Sequence, residues 1–126
     1  MVEAFGLQSR AIVGEAAYGP AKRELLVRAR GFVYPSRWDA CPNSVLEAVS
    51  LGIPTLGTPY PLACMLAERG GGLVGEARAQ SLADGIKDLL SPGSEEVGRV
   101  GARVAREELS WDRVAQSWLT QVEEIL

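Results

Sequence analysis

Apolar residues along the chain follow two alternating patterns. Segments with helical spacing, such as residues 21–29 and 82–90, separate four short runs that predict strands: residues 11–14, 32–34, 53–56 and 72–74. The runs are almost uniformly apolar, which is typical of parallel strands covered on both faces. The alternation predicts βαβ units with right-handed crossovers. We expect an α/β fold in which a Rossmann-like parallel sheet of about four strands is flanked by helices, in a single domain over residues 1–126.

Local signals place the first two helices. Pro20 suits the first turn of a helix over residues 22–29, and Gly31 supplies the turn into the next strand. Asn43 is the predicted N-cap of the second helix, and Gly52 is predicted to end it in a left-handed conformation.

Two closing helices are predicted over residues 95–108 and 111–126, with Ser94 and Ser110 as caps. The last one carries an apolar stripe, for which packing in the core or at an interface is the default interpretation. The stripe consists of Trp111, Ala115, Trp118, Val122 and Ile125.

Charge and composition exclude several classes of function. The 126 residues include 13 Lys and Arg against 16 Asp and Glu, so a net charge of -3 argues against a nucleic-acid partner. No apolar run approaches the roughly 20 residues of a transmembrane segment, and Met1-Val2-Glu3 does not begin an export signal. We therefore expect a cytoplasmic location.

The chain contains no histidine, and its two cysteines, Cys41 and Cys64, are too far apart for a zinc knuckle. Nucleophile systems that need an imidazole base within the chain are excluded.

In an open parallel sheet, ligands bind beyond the carboxyl ends of the strands. Two loops meet this condition, residues 36–42 and 58–61, and we expect them to be neighbours. On the helix that starts near Asn43, one side is polar and includes Glu47 and Ser50. The other side can face the sheet, and it consists of Val45, Ala48 and Val49.

Such a site favours a phosphorylated ligand rich in hydroxyl groups. Free N–H groups at a helix start bind phosphate, and a carboxylate one turn further on can accept hydrogen bonds from both hydroxyls of a ribose. The alternative is that Glu47 only offsets the helix dipole and that Asp39 is an ordinary loop acid.

The stretch PSRWDACPNSVLEAVSLGIPTLGT, residues 35–58, carries an ordered set of motifs: Pro35-Ser36, Asp39-x7-Glu47, Ala48, Gly52 and Pro54. It resembles the C-terminal domain of retaining, nucleotide-sugar-dependent glycosyltransferases with two Rossmann-like domains (GT-B), known as family 4 or group 1. The resemblance covers about residues 11–126.

The resemblance implies a donor site. Glu47 matches the acid that holds the nucleotide ribose, and Asp39 matches the acid that contacts the donor sugar near the reacting centre. The family binds sugar hydroxyls and diphosphate through backbone N–H groups, which match Ala40, Cys41, Asn43, Ser44 and Val45. The ligand is a nucleotide-diphosphate sugar, and neither a metal nor another cofactor is expected.

The sequence departs from the family pattern in three places. Asp39 replaces the usual Glu, and Thr58-Pro59-Tyr60-Pro61-Leu62 replaces a Gly-Gly loop. The family's phosphate-binding Arg and Lys lie upstream of the part of the domain that this chain matches. Lys22 and Arg23 occupy a different place and are assigned no role.

The acceptor-binding N-terminal domain of the family has no counterpart here, so we expect the chain alone to transfer little or no sugar. The last helix returns toward that domain in the family. We therefore expect its stripe to be partly exposed, and a separate N-terminal polypeptide or self-association through this helix to cover it.

Two further interpretations stay open. One is a non-catalytic binding or interaction module, or a subunit of a split glycosyltransferase. The other is a flavodoxin-like regulatory domain unrelated to sugars.

Overall fold

Three short parallel strands form the centre of the fold in the computed structural model, which describes residues 2–125. They are β1 (Phe32–Tyr34), β2 (Thr55–Gly57) and β3 (Leu73–Val74), in the spatial order β1-β2-β3. Leu56 lies opposite both Val33 and Leu73 in the register. The Rossmann-like parallel sheet is confirmed, although it has three strands among the described residues and not about four.

Six helices surround the sheet in the described part of the chain: α1 (Gly19–Arg28), α2 (Asn43–Ser50), α3 (Pro61–Glu68), α4 (Ala79–Leu89), α5 (Ser94–Glu108) and α6 (Trp111–Ile125). The sequence did not predict α3, because the prolines of residues 58–62 suggested a loop. Pro61 is instead the first residue of α3, where its missing N–H costs no helical hydrogen bond.

The predicted strand at residues 11–14 is wrong. Ile12 and Val13 are 96% and 84% exposed, and neither belongs to a strand. A β-forming run becomes a strand only when another strand accepts its backbone hydrogen bonds, and no strand of the described sheet pairs with this run.

Helix α2 is the central element of the core. Val45, Ala48 and Val49 are buried, as their spacing predicts, and they pack between the sheet and α5. Two glycines of α5 allow this close approach. A Cβ atom on Gly98 would lie 2.1 Å from the carbonyl oxygen of Gly52, and one on Gly101 would lie 2.7 Å from that of Gly71.

The predicted caps are confirmed in part. Gly52 has φ +75° and follows α2 as expected, and the Arg113 N–H donates to the Ser110 hydroxyl oxygen at 3.4 Å. Asn43 is not an N-cap, because the Pro42 carbonyl accepts the first hydrogen bonds and Asn43 is already helical. Ser94 likewise begins α5 behind the left-handed Gly93.

Every residue of α6 from Trp111 to Ile125 is exposed. Trp111 is 86% exposed and Trp118 is 70% exposed, so packing of the apolar stripe in the core is wrong and the expected exposure is confirmed. The predicted extension of this helix to residue 126 lies outside the described residues. Across residues 2–125, no helix has the length and apolar character needed to cross a membrane.

Candidate functional site

The loops that follow β1 and β2 meet at the carboxyl edge of the sheet. The buried Thr58 hydroxyl donates a hydrogen bond to the Ser36 carbonyl, and the Leu62 N–H donates to the Ala40 carbonyl at 3.1 Å. The sequence prediction that these loops are neighbours is confirmed.

The Asp39 carboxylate is fixed by two hydrogen bonds. The Tyr34 hydroxyl donates to Oδ2 at 2.9 Å, and the Ala40 N–H donates to Oδ1 at 2.8 Å. The hydrogen bond to Asp39 is the main cause that raises the pKa of Tyr34 above its ordinary value. A tyrosine with the ordinary pKa of 10.0 is already protonated at neutral pH, so Tyr34 donates to Asp39 there, and the raised pKa extends this donation to more alkaline pH.

A second tyrosine supports this arrangement. The Tyr60 ring meets the Tyr34 ring edge to face, with centroids 5.9 Å apart. Burial, followed by the nearby Tyr34 and Asp39, raises the pKa of Tyr60 to about 12. The two rings pack against each other at the carboxyl end of β1, where the loop that contains Asp39 begins.

A cleft of about 980 Å³ opens between α1, α2 and the junction of α5 with α6. Lys22, Asn43 and Glu47 lie in the part of the cleft near the carboxyl edge of the sheet, where α1 begins and α2 starts, and Leu51, at the end of α2, lies in the part toward the opposite edge. Apolar side chains form much of its wall: Leu26, Leu46, Leu51, Ala102, Ala105 and Leu109.

Glu47 lines this cleft and forms an ion pair across it. Lys22 Nζ on α1 lies 2.9 Å from Glu47 Oε2 on α2, and the two side chains are 30% and 49% exposed. Glu47 is therefore reachable from solvent, as its place on the polar side of α2 predicted.

The cleft is positively charged within an acidic protein. Three cationic side chains, Lys22, Arg23 and Arg106, line it with one carboxylate, Glu47, whereas the whole chain has a net charge of -3. A low-dielectric wall strengthens such a local field, which favours an anionic ligand.

Comparison with known families decides the classification. The family model described as "Glycosyl transferases group 1" matches residues 2–92, which is more than half of the 126 residues. The chain belongs to the group 1 glycosyltransferase family. The match includes α1 to α4 with both Asp39 and Glu47, and it ends before α5. No curated protein and no solved structure matches the chain.

In this group 1 domain, the site residues predicted from the sequence fall into two adjoining parts. Asn43 and Glu47 line the cleft, whereas Asp39 lies in the loop just before α2 and does not line it. The remaining predicted residues also lie outside the cleft wall: Ala40, Cys41, Ser44 and Val45.

The predicted backbone donors of the group 1 domain differ in availability. The Ala40 N–H is bound to Asp39, and the Val45 N–H donates to the Pro42 carbonyl at 3.0 Å. Within residues 2–125, no hydrogen bond uses the N–H groups of Cys41, Asn43 or Ser44. These three groups at the start of α2 are the ones left for a ligand.

Sequence reasoning missed Lys22 as a site residue. Its position one helical turn before the buried Leu26 is a weak signal that this side of α1 faces inward. The partner, Glu47, lies 25 residues away and belongs to another helix, so only the tertiary structure brings the two together.

The residues that could bind metal are few in this part of the chain. Cys41 and Cys64 are free thiols, and residues 2–125 hold no group of three or more His, Cys, Asp or Glu side chains arranged to bind a metal ion. That a group 1 domain of this type needs no metal stays a prediction.

Proposed function

We propose that this group 1 domain binds the nucleotide-diphosphate sugar donor of a retaining glycosyltransferase in the cleft beside Glu47. The observation that carries the proposal is the ion pair of Glu47 with Lys22 at the mouth of a cationic cleft. The cleft offers a carboxylate for hydroxyl groups and positive charge for phosphates, and a sugar nucleotide contains both.

Glu47 is proposed to bind the ribose. Lys22 Nζ pairs with Glu47 Oε2, and the carboxylate keeps lone pairs that can accept hydrogen bonds from two vicinal hydroxyls. The ion pair also holds the carboxylate in one position, which lowers the entropy cost of binding. Each charge-assisted hydrogen bond contributes about 1.5–3 kcal/mol.

Lys22 and the start of α2 are proposed to bind the diphosphate. An ammonium group has three donors, and the ion pair of Lys22 with Glu47 leaves donors for a phosphate. The N–H groups of Asn43 and Ser44 point out of the first turn of α2, where the helix dipole favours an anion. Positive charge here would also stabilise the diphosphate as it leaves the sugar.

Asp39 is proposed to face the donor sugar at the edge of the site. Each of its oxygens already accepts one hydrogen bond, from Tyr34 or from Ala40, and each keeps lone-pair capacity for a sugar hydroxyl. The shorter side chain is compensated in part because both hydrogen bonds fix its orientation.

An acceptor-binding partner is part of the proposal. The cleft and the Asp39 loop supply donor contacts only, so the acceptor is proposed to bind an N-terminal domain provided by a separate polypeptide. Without it, the chain transfers little or no sugar. The exposed stripe of α6 is proposed as the surface that this partner covers, with self-association as the alternative. The cytoplasmic location stays a prediction from the sequence.

Calorimetric titration with ADP, GDP and UDP tests the donor site. We expect micromolar to millimolar binding of one of them by the wild type, and loss of at least about tenfold in affinity for Glu47→Ala, consistent with the loss of one charge-assisted bond. Glu68→Ala removes an exposed acid on α3 and is the matched control. Failure of the wild type to bind any of the three would refute the proposal.

The hydrogen bonds of Asp39 favour a second candidate, a module that binds the donor but transfers nothing. Each oxygen of the Asp39 carboxylate already accepts a hydrogen bond within the protein, from Tyr34 or from Ala40, which leaves fewer lone pairs for the donor sugar. Donor binding without sugar release, even after an N-terminal domain is added, would support this candidate over a split enzyme.

A further inference from the structure

Two exposed aromatic side chains line the same cleft as Glu47. Tyr18 directly precedes α1 and is 79% exposed, and Trp111 is the first residue of α6 and is 86% exposed. The two rings come from the α1 wall and the α5–α6 wall of the cleft. Neither residue has a role in the core or in the ribose and diphosphate contacts proposed above.

The rest of the cleft wall includes several apolar side chains. Leu26, Leu46 and Leu109 belong to it, and Arg106 lies in the same wall close to Trp111 in sequence. The cleft thus has a charged part at Lys22 and Glu47 and a part suited to a flat, weakly polar ring. Its volume of about 980 Å³ lies at the upper end of that of small-molecule sites.

We propose that Trp111, with Tyr18 on the α1 wall, forms the stacking surface for the nucleobase of the bound nucleoside diphosphate. This inference rests on the proposed function, since the ribose on Glu47 fixes where the base can lie. Every nucleobase presents a π face, so stacking supplies affinity and tolerates any base. The indole therefore positions the base without selecting it.

The assignment gives α6 a second role. Ser110 and Trp111 are the residues through which the start of α6 reaches the cleft, while Trp118 on the same helix lies outside the cleft wall and is 70% exposed. Trp111 is the first residue of the apolar stripe, so a nucleotide stacked on it contacts the helix whose remaining stripe residues, within 115–125, are proposed to meet a partner domain.

The test compares Trp111→Ala, Trp111→Phe and the matched control Trp118→Ala, each titrated with ADP, GDP and UDP and with the base-free probe ribose 5-phosphate. We expect Trp111→Ala to weaken nucleoside diphosphate binding by about 5- to 150-fold, the usual effect of losing one stacked base, and Trp111→Phe to stay within about threefold of the wild type. Binding of ribose 5-phosphate is expected to be the same in all four proteins.

A second readout uses fluorescence. Trp38 and Trp118 are both exposed, so Trp38→Phe with Trp118→Phe leaves Trp111 as the single tryptophan of a folded chain. Nucleoside diphosphate is expected to quench its emission, whereas ribose 5-phosphate is not.

The outcomes separate the two proposals. If Glu47→Ala abolishes binding while Trp111→Ala binds within twofold of the wild type, the stacking surface is refuted and the donor site stands. If Trp111→Ala weakens the binding of ribose 5-phosphate as much as the binding of nucleoside diphosphate, then Trp111 only maintains the structure of the cleft. The stacking assignment also fails in that case. If the wild type binds no nucleoside diphosphate, both proposals fail together.

Discussion

Lys22 Nζ lies 2.9 Å from Glu47 Oε2, and this ion pair joins the start of α1 to the first turns of α2. The two helices flank the mouth of the cleft, so the pair places positive charge and a hydrogen-bond acceptor beside each other. Both side chains are partly exposed, and exposed ion pairs add about 1 kcal/mol or less to stability. The pair therefore adds little to the stability of the fold, and the role proposed for it is in ligand binding.

Replacing Lys22 by Met is expected to weaken nucleoside diphosphate binding by about 10- to 100-fold, because one charge-assisted hydrogen bond to phosphate is lost. Affinity for the corresponding nucleoside, which has no phosphate, should fall much less, because only the orienting effect of Lys22 on Glu47 is lost. Calorimetric titration of both ligands measures the difference.

Two variants control this prediction. Lys22→Arg keeps the positive charge and should retain most of the affinity. Lys87→Met removes a lysine that pairs with Asp84 on α4, away from the cleft, and should have no effect. An equal loss for nucleoside and nucleoside diphosphate in Lys22→Met would argue against a phosphate contact.

Gly98→Ala is expected to destabilise the protein by about 1–3 kcal/mol, since the new Cβ atom would overlap the Gly52 carbonyl oxygen and push α5 away from α2. In an exposed helix, replacing Gly by Ala would stabilise the protein by about 0.5–1 kcal/mol. The sign of the change in unfolding free energy therefore shows whether the new Cβ atom is crowded. Urea unfolding followed by circular dichroism measures it. Gly14→Ala, where a Cβ meets no atom within 4 Å, is the control and should be close to neutral.

Stability is expected to fall at alkaline pH through Tyr60. Its pKa rises from the ordinary value of 10.0 to about 12 in the folded protein, chiefly through burial, so the unfolded chain loses this proton first. Tyr60 makes its full contribution to the free energy of unfolding below pH 10.0. This contribution is lost as the pH rises toward about 12. Urea midpoints measured across this range should decline in the wild type and decline less in Tyr60→Phe. The same decline in both proteins would show that Tyr60 is not responsible.

The apolar stripe of α6 is expected to cause self-association of the isolated chain as its concentration rises, since Trp118 and Val122 are exposed together on one side of the helix. Trp118→Glu should shift the sedimentation profile to a monomer with unchanged helical content. Thr120→Glu places the same charge on the opposite side of α6 and should leave association unchanged. A wild-type chain that stays monomeric at all concentrations would contradict this prediction.

The sequence predicted those features that depend on local spacing. The strand at residues 32–34 and the buried face of α2 follow from the order of apolar residues, and both are observed. Ile12 and Val13 have the same strand propensity but no neighbouring strand, so propensity alone was insufficient. The contact between Lys22 and Glu47 depends on how α1 packs against α2, which a single sequence does not show.

The candidate site was predictable to a similar degree. The position of Glu47 on the polar side of α2 correctly predicted that its side chain is reachable from solvent, whereas its role in binding a ligand stays a prediction. The hydrogen bond from Tyr34 to Asp39 was not predicted, because it depends on the path of the loop after β1. The sequence also did not predict that Tyr18 and Trp111 line one cleft. The two residues lie near opposite ends of the sequence, so only the tertiary structure brings them together.

The contact proposed between Glu47 and the ribose can be tested directly with a binding cycle. Wild type and Glu47→Gln are each titrated with the tightest of ADP, GDP and UDP and with its 2′-deoxy counterpart. Removing the 2′-hydroxyl should cost the wild type about tenfold or more in affinity, as expected for a hydrogen bond to a charged group, and should cost Glu47→Gln much less. An equal loss in both proteins would contradict a direct bond between this carboxylate and the ribose.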